Sequence, residues 1–179
     1  MEGFQISSCQ FALHYFFENL KTLKGFIKNV AECTKLGGYF IATAYDGENV
    51  FKLLKNKEVD DGVSIYEDED KIWEIRKRYN LNSFENDSSC LGYKIDVFQE
   101  SINQLTPEYL VNYTYFNQVM ENFGFHQVSR EDAQDMGLPE GSGLFSDLYT
   151  NLVDKNKNTK DKDYRAVSYT HLTLPTTYT

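Results

Sequence analysis

"FQISSCQFALHYFFEN", residues 4–19, begins as an apolar strand and then departs from that pattern. Residues 6–11 have the make-up of a core strand, yet His14 and Tyr15 follow at once, with Phe16 and Phe17 behind them. A titratable side chain just past the carboxyl end of a strand serves either packing or a site. Leu20, Leu23, Ile27, Val30 and Ala31 then recur at helical spacing, with Lys21, Lys24, Lys28 and Glu32 between them. In "KLGGYFIATAYDG", residues 35–47, Gly37 and Gly38 are expected to end that helix, and residues 39–44 form a second short apolar strand. Strand, helix and strand make a βαβ unit. Its two strands should lie parallel in an α/β sheet with a right-handed crossover. Ligands collect outside the carboxyl ends of such strands, where both "ALHY" (12–15) and "TAYDG" (43–47) fall.

Beyond a helix expected over 48–54, the texture changes. Residues 63–66, 71–79 and 93–98 are β-like runs separated by the acidic loops "EVDDG", "EDED" and "ENDSS". "LTPEYLVNYTYFNQVMENFGF" then predicts a helix with Thr106 as N-cap, Pro107 in its first turn and Gly124 closing it. Leu110, Tyr113, Val119, Met120 and Phe123 would form its apolar face. Residues 125–128 suggest another strand, 144–153 a further helix, and "DKNKNTKDKD" a solvated charge run. "VSYTHLTLPT", from Val167, resembles the translation of a transposase sequencing adapter. Residues 166–179 are accordingly expected to be a foreign tail, His171 included, and are set aside from fold reasoning.

The 179 residues are one domain's worth or part of a larger one, and 13 Phe plus 13 Tyr allow a real core. A net charge of −9 argues against a general electrostatic grip on nucleic acid, though not against reading a single nucleotide. No apolar run is long enough to span a membrane, and residue 1 onward lacks the order of a signal peptide. An intracellular setting is expected (host cytoplasm or virion for a viral protein). Cys9, Cys33 and Cys90 have no CxxC spacing, suit a reducing compartment and read as buried thiols. No metal site is expected.

Several blocks in order resemble one family. "FQISSCQFALHYFFEN" is similar to the strand-four signature of messenger-RNA cap guanine-N7 methyltransferases, in which a strand ends in Gln-Phe-x-x-His-Tyr. "GGYFIATAYDG" resembles the next strand, its Asp-Gly ending closer to the versions in large DNA viruses than to cellular ones. "GYKIDVFQESI" with "PEYLVNYTYFNQVMENFGF" resembles the cap-covering insertion and the helix after it, and "GLPEGSGLFSDLY" matches the viral pattern. Gln5 departs from the Asp usual in the family. The resemblance implies a class I, Rossmann-like methyltransferase using S-adenosylmethionine. Residues 1–165 would be its C-terminal half, starting near strand four, with a β-rich insertion. The cofactor loop after strand one and the final strands would lie outside the chain. The implied substrate is the capped 5′ end of messenger RNA, and other capping-enzyme domains are possible partners.

The chemistry is consistent with that resemblance. Guanine N7 is unprotonated and nucleophilic, so methylation needs no general base, only alignment with the sulfonium methyl. Catalytic acid–base residues are therefore not expected. By resemblance Gln10, Phe11 and Tyr15 contact the cofactor, while His14 and Glu108 contact the guanine. A carboxylate accepts from guanine N1–H and N2–H₂ together, which adenine does not offer. Tyr45 stands where cellular relatives carry a cap-side Pro, and its stacking on the base is left open. Plainer readings stand beside these: a packed His14, a Glu108 complementing a helix dipole, Tyr15 in a core, Gln10 satisfying a backbone group. Asp46 reads as the start of the next helix, His126 as a surface strand residue, and "GSG" as too short for a phosphate loop. The alternatives in function are another class I methyltransferase or a catalytically dead stimulatory subunit. The absence of a Pro-Pro pair disfavours the amino-methyltransferase branch.

Overall fold

The computed structural model describes residues 3–138, 141–147 and 176–178. In chain order its regular elements are β1 (Phe4–Gln10), a 3₁₀ helix (Leu13–Glu18), α1 (Leu20–Cys33), β2 (Thr34–Thr43) and α2 (Gly47–Leu53). There follow β3 (Gly62–Glu67), β4 (Asp70–Lys77), a 3₁₀ turn (Ser88–Cys90), β5 (Lys94–Gln99) and β6 (Gln104–Tyr109). The chain continues with α3 (Tyr113–Glu121), β7 (Phe125–Gln127), α4 (Arg130–Asp135) and β8 (Thr176–Tyr178). They fall into two compact units, Met1–Ala12 with Ile27–Ala44 and Val119–Thr179, and Leu13–Phe26 with Tyr45–Gln118.

In the first unit β1 and β2 pair in parallel, from Ile6↔Tyr39 to Gln10↔Thr43, as a βαβ unit requires. The helix stop is not where the glycines suggested. Helix α1 ends at Cys33, where the Thr34 hydroxyl donates to the Val30 carbonyl at 2.7 Å and so answers one of the helix's orphan acceptors. Gly37 and Gly38 lie inside β2. Gly37 holds φ +72°, and the β1–β2 register slips between Phe4 and Ile6, so the glycines serve a bulge instead. The sheet order is β1-β2-β8-β7, with β8 antiparallel to both neighbours. β8 comes from the stretch set aside as a tail. The rest of that stretch, the charge run and the expected helix beyond Asp147 lie outside the described residues.

Two expectations of burial fail here. β1 is an edge strand, and Phe4 and Ile6 are 68% and 60% exposed instead of forming a core. Cys33 is exposed and Cys9 half-buried, because Cys33 falls beside the helical stripe marked by Leu23 and Ile27; only Cys90 is a buried thiol.

The second unit carries the antiparallel sheet β3-β4-β5-β6. Strand alternation puts Val63, Trp73, Ile75, Ile95 and Val97 on one face, and Val50 of α2 and its C-cap Leu54 pack on it. The opposite face holds charges paired to one another: Glu74 accepts from Lys71 and Arg76 at 2.8 Å each, and Asp96 from Arg78 at 2.6 Å. The helix expected from Thr106 is corrected. Residues 104–109 are strand β6, paired with β5 through Val97↔Thr106 and Ile95↔Glu108. Pro107 is tolerated because β6 is the sheet's edge, where a missing N–H need not break a ladder bond. Helix α3 starts only at Tyr113. Its cap is the fully buried Asn112, whose side-chain oxygen accepts from the Tyr115 N–H at 2.9 Å. Asp46 caps α2 as expected, accepting from the Asn49 N–H at 3.1 Å.

Candidate functional site: a buried histidine beside a buried glutamate

The chain leaves β1 by a sharp turn. Phe11 has φ +51°, a left-handed conformation that bulky residues rarely adopt, and its N–H is held by the Thr43 carbonyl (3.0 Å) and hydroxyl (2.8 Å). In the 3₁₀ helix that follows, Leu13 and Phe17 are fully buried. They anchor the turn, and the Phe17 carbonyl accepts from the Gly92 N–H at 2.9 Å. This leaves His14 facing inward and 5% exposed, while Tyr15 is turned outward. The Tyr109 hydroxyl donates to the Glu18 carboxylate at 3.2 Å, tying the end of the 3₁₀ helix to β6.

Glu108 reaches the same place from β6. It projects from the face that also carries Ile95, and is 8% exposed. His14 Nδ1 lies 3.5 Å from Glu108 Oε2. That separation allows an ion pair, yet no hydrogen bond forms, and among the described residues His14 Nδ1, His14 Nε2 and Glu108 Oε2 are buried without a hydrogen-bond partner. Burial pushes Glu108 up to about 7 and His14 down to about 4. Both groups are then neutral between those values, so the contact is a neutral one and not a salt bridge. Buried polar groups are ordinarily hydrogen-bonded, so three such atoms in one spot make this the candidate place for binding a polar group.

Two tyrosines lie within electrostatic reach of Glu108. The Tyr15 ring sits edge-on to His14, with centroids 4.2 Å apart, and burial followed by the nearby Glu108 raises its hydroxyl's pKa. Tyr45 lies over the apolar sheet face, and its hydroxyl accepts from Trp73 Nε1 at 2.9 Å and Gln99 Nε2 at 3.1 Å. Burial raises Tyr45 as well, opposed by those two hydrogen bonds, with Glu108 adding to the rise. The structure therefore gathers four of the six residues singled out from sequence: His14, Tyr15, Tyr45 and Glu108. Glu108 stands on a strand and not in a helix's first turn, so the dipole explanation for it disappears. Gln10 and Phe11 belong to the other unit, where both are exposed; Gln10 donates its amide to the Ser8 hydroxyl at 2.9 Å. His126 is an exposed residue of β7. Trp73 and Gln99 were not foreseen. The one signal available was a lone tryptophan in a β-like run.

Among the described residues no three His, Cys, Asp or Glu side chains are gathered to hold a metal ion, and no helix is long and apolar enough to cross a membrane.

The description of the mRNA (guanine-N(7))-methyltransferase domain matches residues 2–169. The mRNA cap guanine-N(7) methyltransferase of Saccharomyces cerevisiae is 33% identical over 130 residues, covering 70% of this chain and 29% of that protein. The probable mRNA-capping enzyme of Acanthamoeba polyphaga mimivirus is 28% identical over 167 residues, covering 91% of this chain and 13% of that protein. A solved S-adenosylmethionine-dependent methyltransferase from Clostridium acetobutylicum overlaps with a TM-score of 0.42 at 14% identity, covering 70% of this chain and 48% of that one. The chain spans less than a third of the length of the yeast and mimivirus relatives.

Proposed function

The chain belongs to the mRNA (guanine-N(7))-methyltransferase domain family, and on that premise we propose that it forms the guanine-reading part of an enzyme that methylates N7 of the messenger-RNA cap. The observation that carries this reading is the buried His14–Glu108 pair with three polar atoms lacking partners. A guanine edge would satisfy them. The Glu108 carboxylate would accept from N1–H and N2–H₂, and His14 would donate to O6. Adenine presents no such pair of donors, so the same geometry would discriminate between the two purines.

S-adenosylmethionine, when bound, supplies an electrophilic methyl group on its sulfonium. By the family resemblance Gln10 and Phe11 in one unit, and Tyr15 in the other, are the candidates to contact it, and each side chain is exposed. The protein's part is to fix the base so that N7 faces the methyl in line, which is catalysis by proximity and orientation. No side chain needs to remove a proton, because N7 carries none. On the same reading, residues 1–165 are part of a larger methyltransferase domain, and residues 166–179 are foreign to it.

Glu108→Gln in the intact enzyme tests the assignment. The change replaces an acceptor with a donor that faces a guanine donor. Hydrogen bonds to charged groups contribute roughly 1.5–3 kcal/mol, so kcat/KM for capped RNA is expected to fall at least about tenfold. KM for S-adenosylmethionine should barely change. An unchanged kcat and KM for capped RNA in folded Glu108→Gln would remove the guanine-reading role.

A further inference from the structure

We propose that Trp73 and Gln99 are positioning residues which, through the Tyr45 hydroxyl, hold the Tyr45 ring as a rigid wall of the guanine pocket. This rests on the reading of His14 and Glu108 as guanine contacts. Tyr45 belongs to the connection between β2 and α2, and a loop tyrosine would normally sample several rotamers. Here both of its ends are fixed. Its backbone is pinned beside β6: Asp46 bridges to Val111, and the Gly47 N–H donates to the Val111 carbonyl at 2.9 Å. Val111 is three residues on from Glu108, so the near end of the tyrosine lies at the Glu108 end of the sheet.

The far end is held by two strands at once. Trp73 on β4 and Gln99 on β5 are register partners, so the indole and the amide project from neighbouring positions on one face. Both donate to the Tyr45 hydroxyl, at 2.9 and 3.1 Å. Along β5 that face runs from Gln99 through Val97 to Ile95, and Ile95 is the partner of Glu108 on β6. The ring therefore lies over this face with its hydroxyl at the donors, and Trp73 meets it at a tilted 59°. A wall held in this way lets a base settle against Glu108 without first ordering the side chain that borders it, an advantage of preorganisation that appears in binding and not in chemistry.

The test uses the intact enzyme with Trp73→Phe, Tyr45→Phe and the double variant, varying capped RNA and S-adenosylmethionine separately. Each single change is expected to raise KM for capped RNA about three- to tenfold, the range for one or two lost hydrogen bonds, with kcat and the cofactor's KM held within about twofold. The double variant should be no worse than Tyr45→Phe alone, because removing the hydroxyl already removes both bonds of the brace. A purely structural role for Trp73 would lower stability and leave KM for capped RNA unmoved. Gln99→Met, on the same hydroxyl, gives a second reading if Trp73→Phe fails to fold. An unmoved KM in both, or additive effects in the double variant, overturns the proposal. Glu108→Gln run in parallel separates the two ideas. If Glu108→Gln loses capped RNA and the brace variants do not, only the brace falls; if Glu108→Gln also has no effect, both readings fall.

Discussion

Between pH values of about 4 and about 7 the native His14–Glu108 pair carries its one proton on the carboxyl, because burial penalises the carboxylate and the imidazolium alike. The folded-state pKa of Glu108 lies above its ordinary 4.5. Its contribution to stability is therefore full below about 4.5 and is lost as pH rises through about 7. His14 behaves oppositely: its contribution is full above 6.5 and is lost as pH falls through about 4. Between 4.5 and 6.5 the two slopes oppose each other, since folded and unfolded chains each hold one proton on the pair. Replacing Glu108 with Met removes a buried acceptor that lacks a partner. Urea unfolding should show a gain of roughly 1–3 kcal/mol at pH 8 and a smaller one at pH 5, where the native carboxyl is already neutral. The same proton should appear in kinetics. On the proposed guanine-reading role a protonated Glu108 is a poor acceptor, so kcat/KM of the intact enzyme for capped RNA should fall as pH drops below about 7, by about tenfold per unit. Glu108→Gln should be slower than the unsubstituted enzyme above about pH 7 and lack that limb.

At the level of elements, two helix starts carry different loads. Asp46 caps α2 at a partly exposed position, so Asp46→Ala should cost about 1 kcal/mol. Asn112 caps α3 while fully buried, and its amide also donates to the Glu85 carbonyl and to Asn86 Oδ1, at 3.0 Å each. Asn112→Ala would strip three groups of a partner, and thermal unfolding should register a loss two- to threefold that of Asp46→Ala, roughly 2–3 kcal/mol. Gly47 has a different reason to be there. A Cβ at that position would stand 2.4 Å from the Val111 carbonyl oxygen, so Gly47→Ala must push the β2–α2 connection off β6. Overpacking of that kind costs about 1–3 kcal/mol, and it should also weaken capped-RNA binding by moving Tyr45. Residues 104–109 form a strand against their local pattern for a physical reason. Thr-Pro-Glu before an apolar run is a good helix-start pattern locally, and only pairing with β5 overrides it.

For the whole molecule, the conspicuous feature is an apolar edge. Among the described residues β1 pairs only with β2 and leaves Phe4 and Ile6 largely exposed, with a row of backbone donors and acceptors on its other side. An exposed apolar edge strand templates pairing with another chain. The chain by itself should therefore self-associate with rising concentration in light scattering, and Ile6→Lys should suppress this. A chain that stays monomeric at high concentration with Ile6 in place would contradict the expectation.

The sequence by itself determined what is local in origin: the βαβ order, the three β-like runs of the second sheet and the Asp46 cap; His14, Tyr15, Tyr45 and Glu108 it offered as candidates, through motifs resembling a family. Each follows from residue periodicity, from a cap's own side chain, or from motifs whose residues lie close together. Tertiary structure alone decided that residues 104–109 are a strand, that Gly37 serves a bulge, that Cys33 and Ile6 are exposed, and that Asn112 begins α3. It alone brought Trp73 and Gln99 onto the Tyr45 hydroxyl across 28 and 54 residues of chain. These outcomes depend on strand pairing and burial between distant segments, and neighbouring residues carry no record of such contacts.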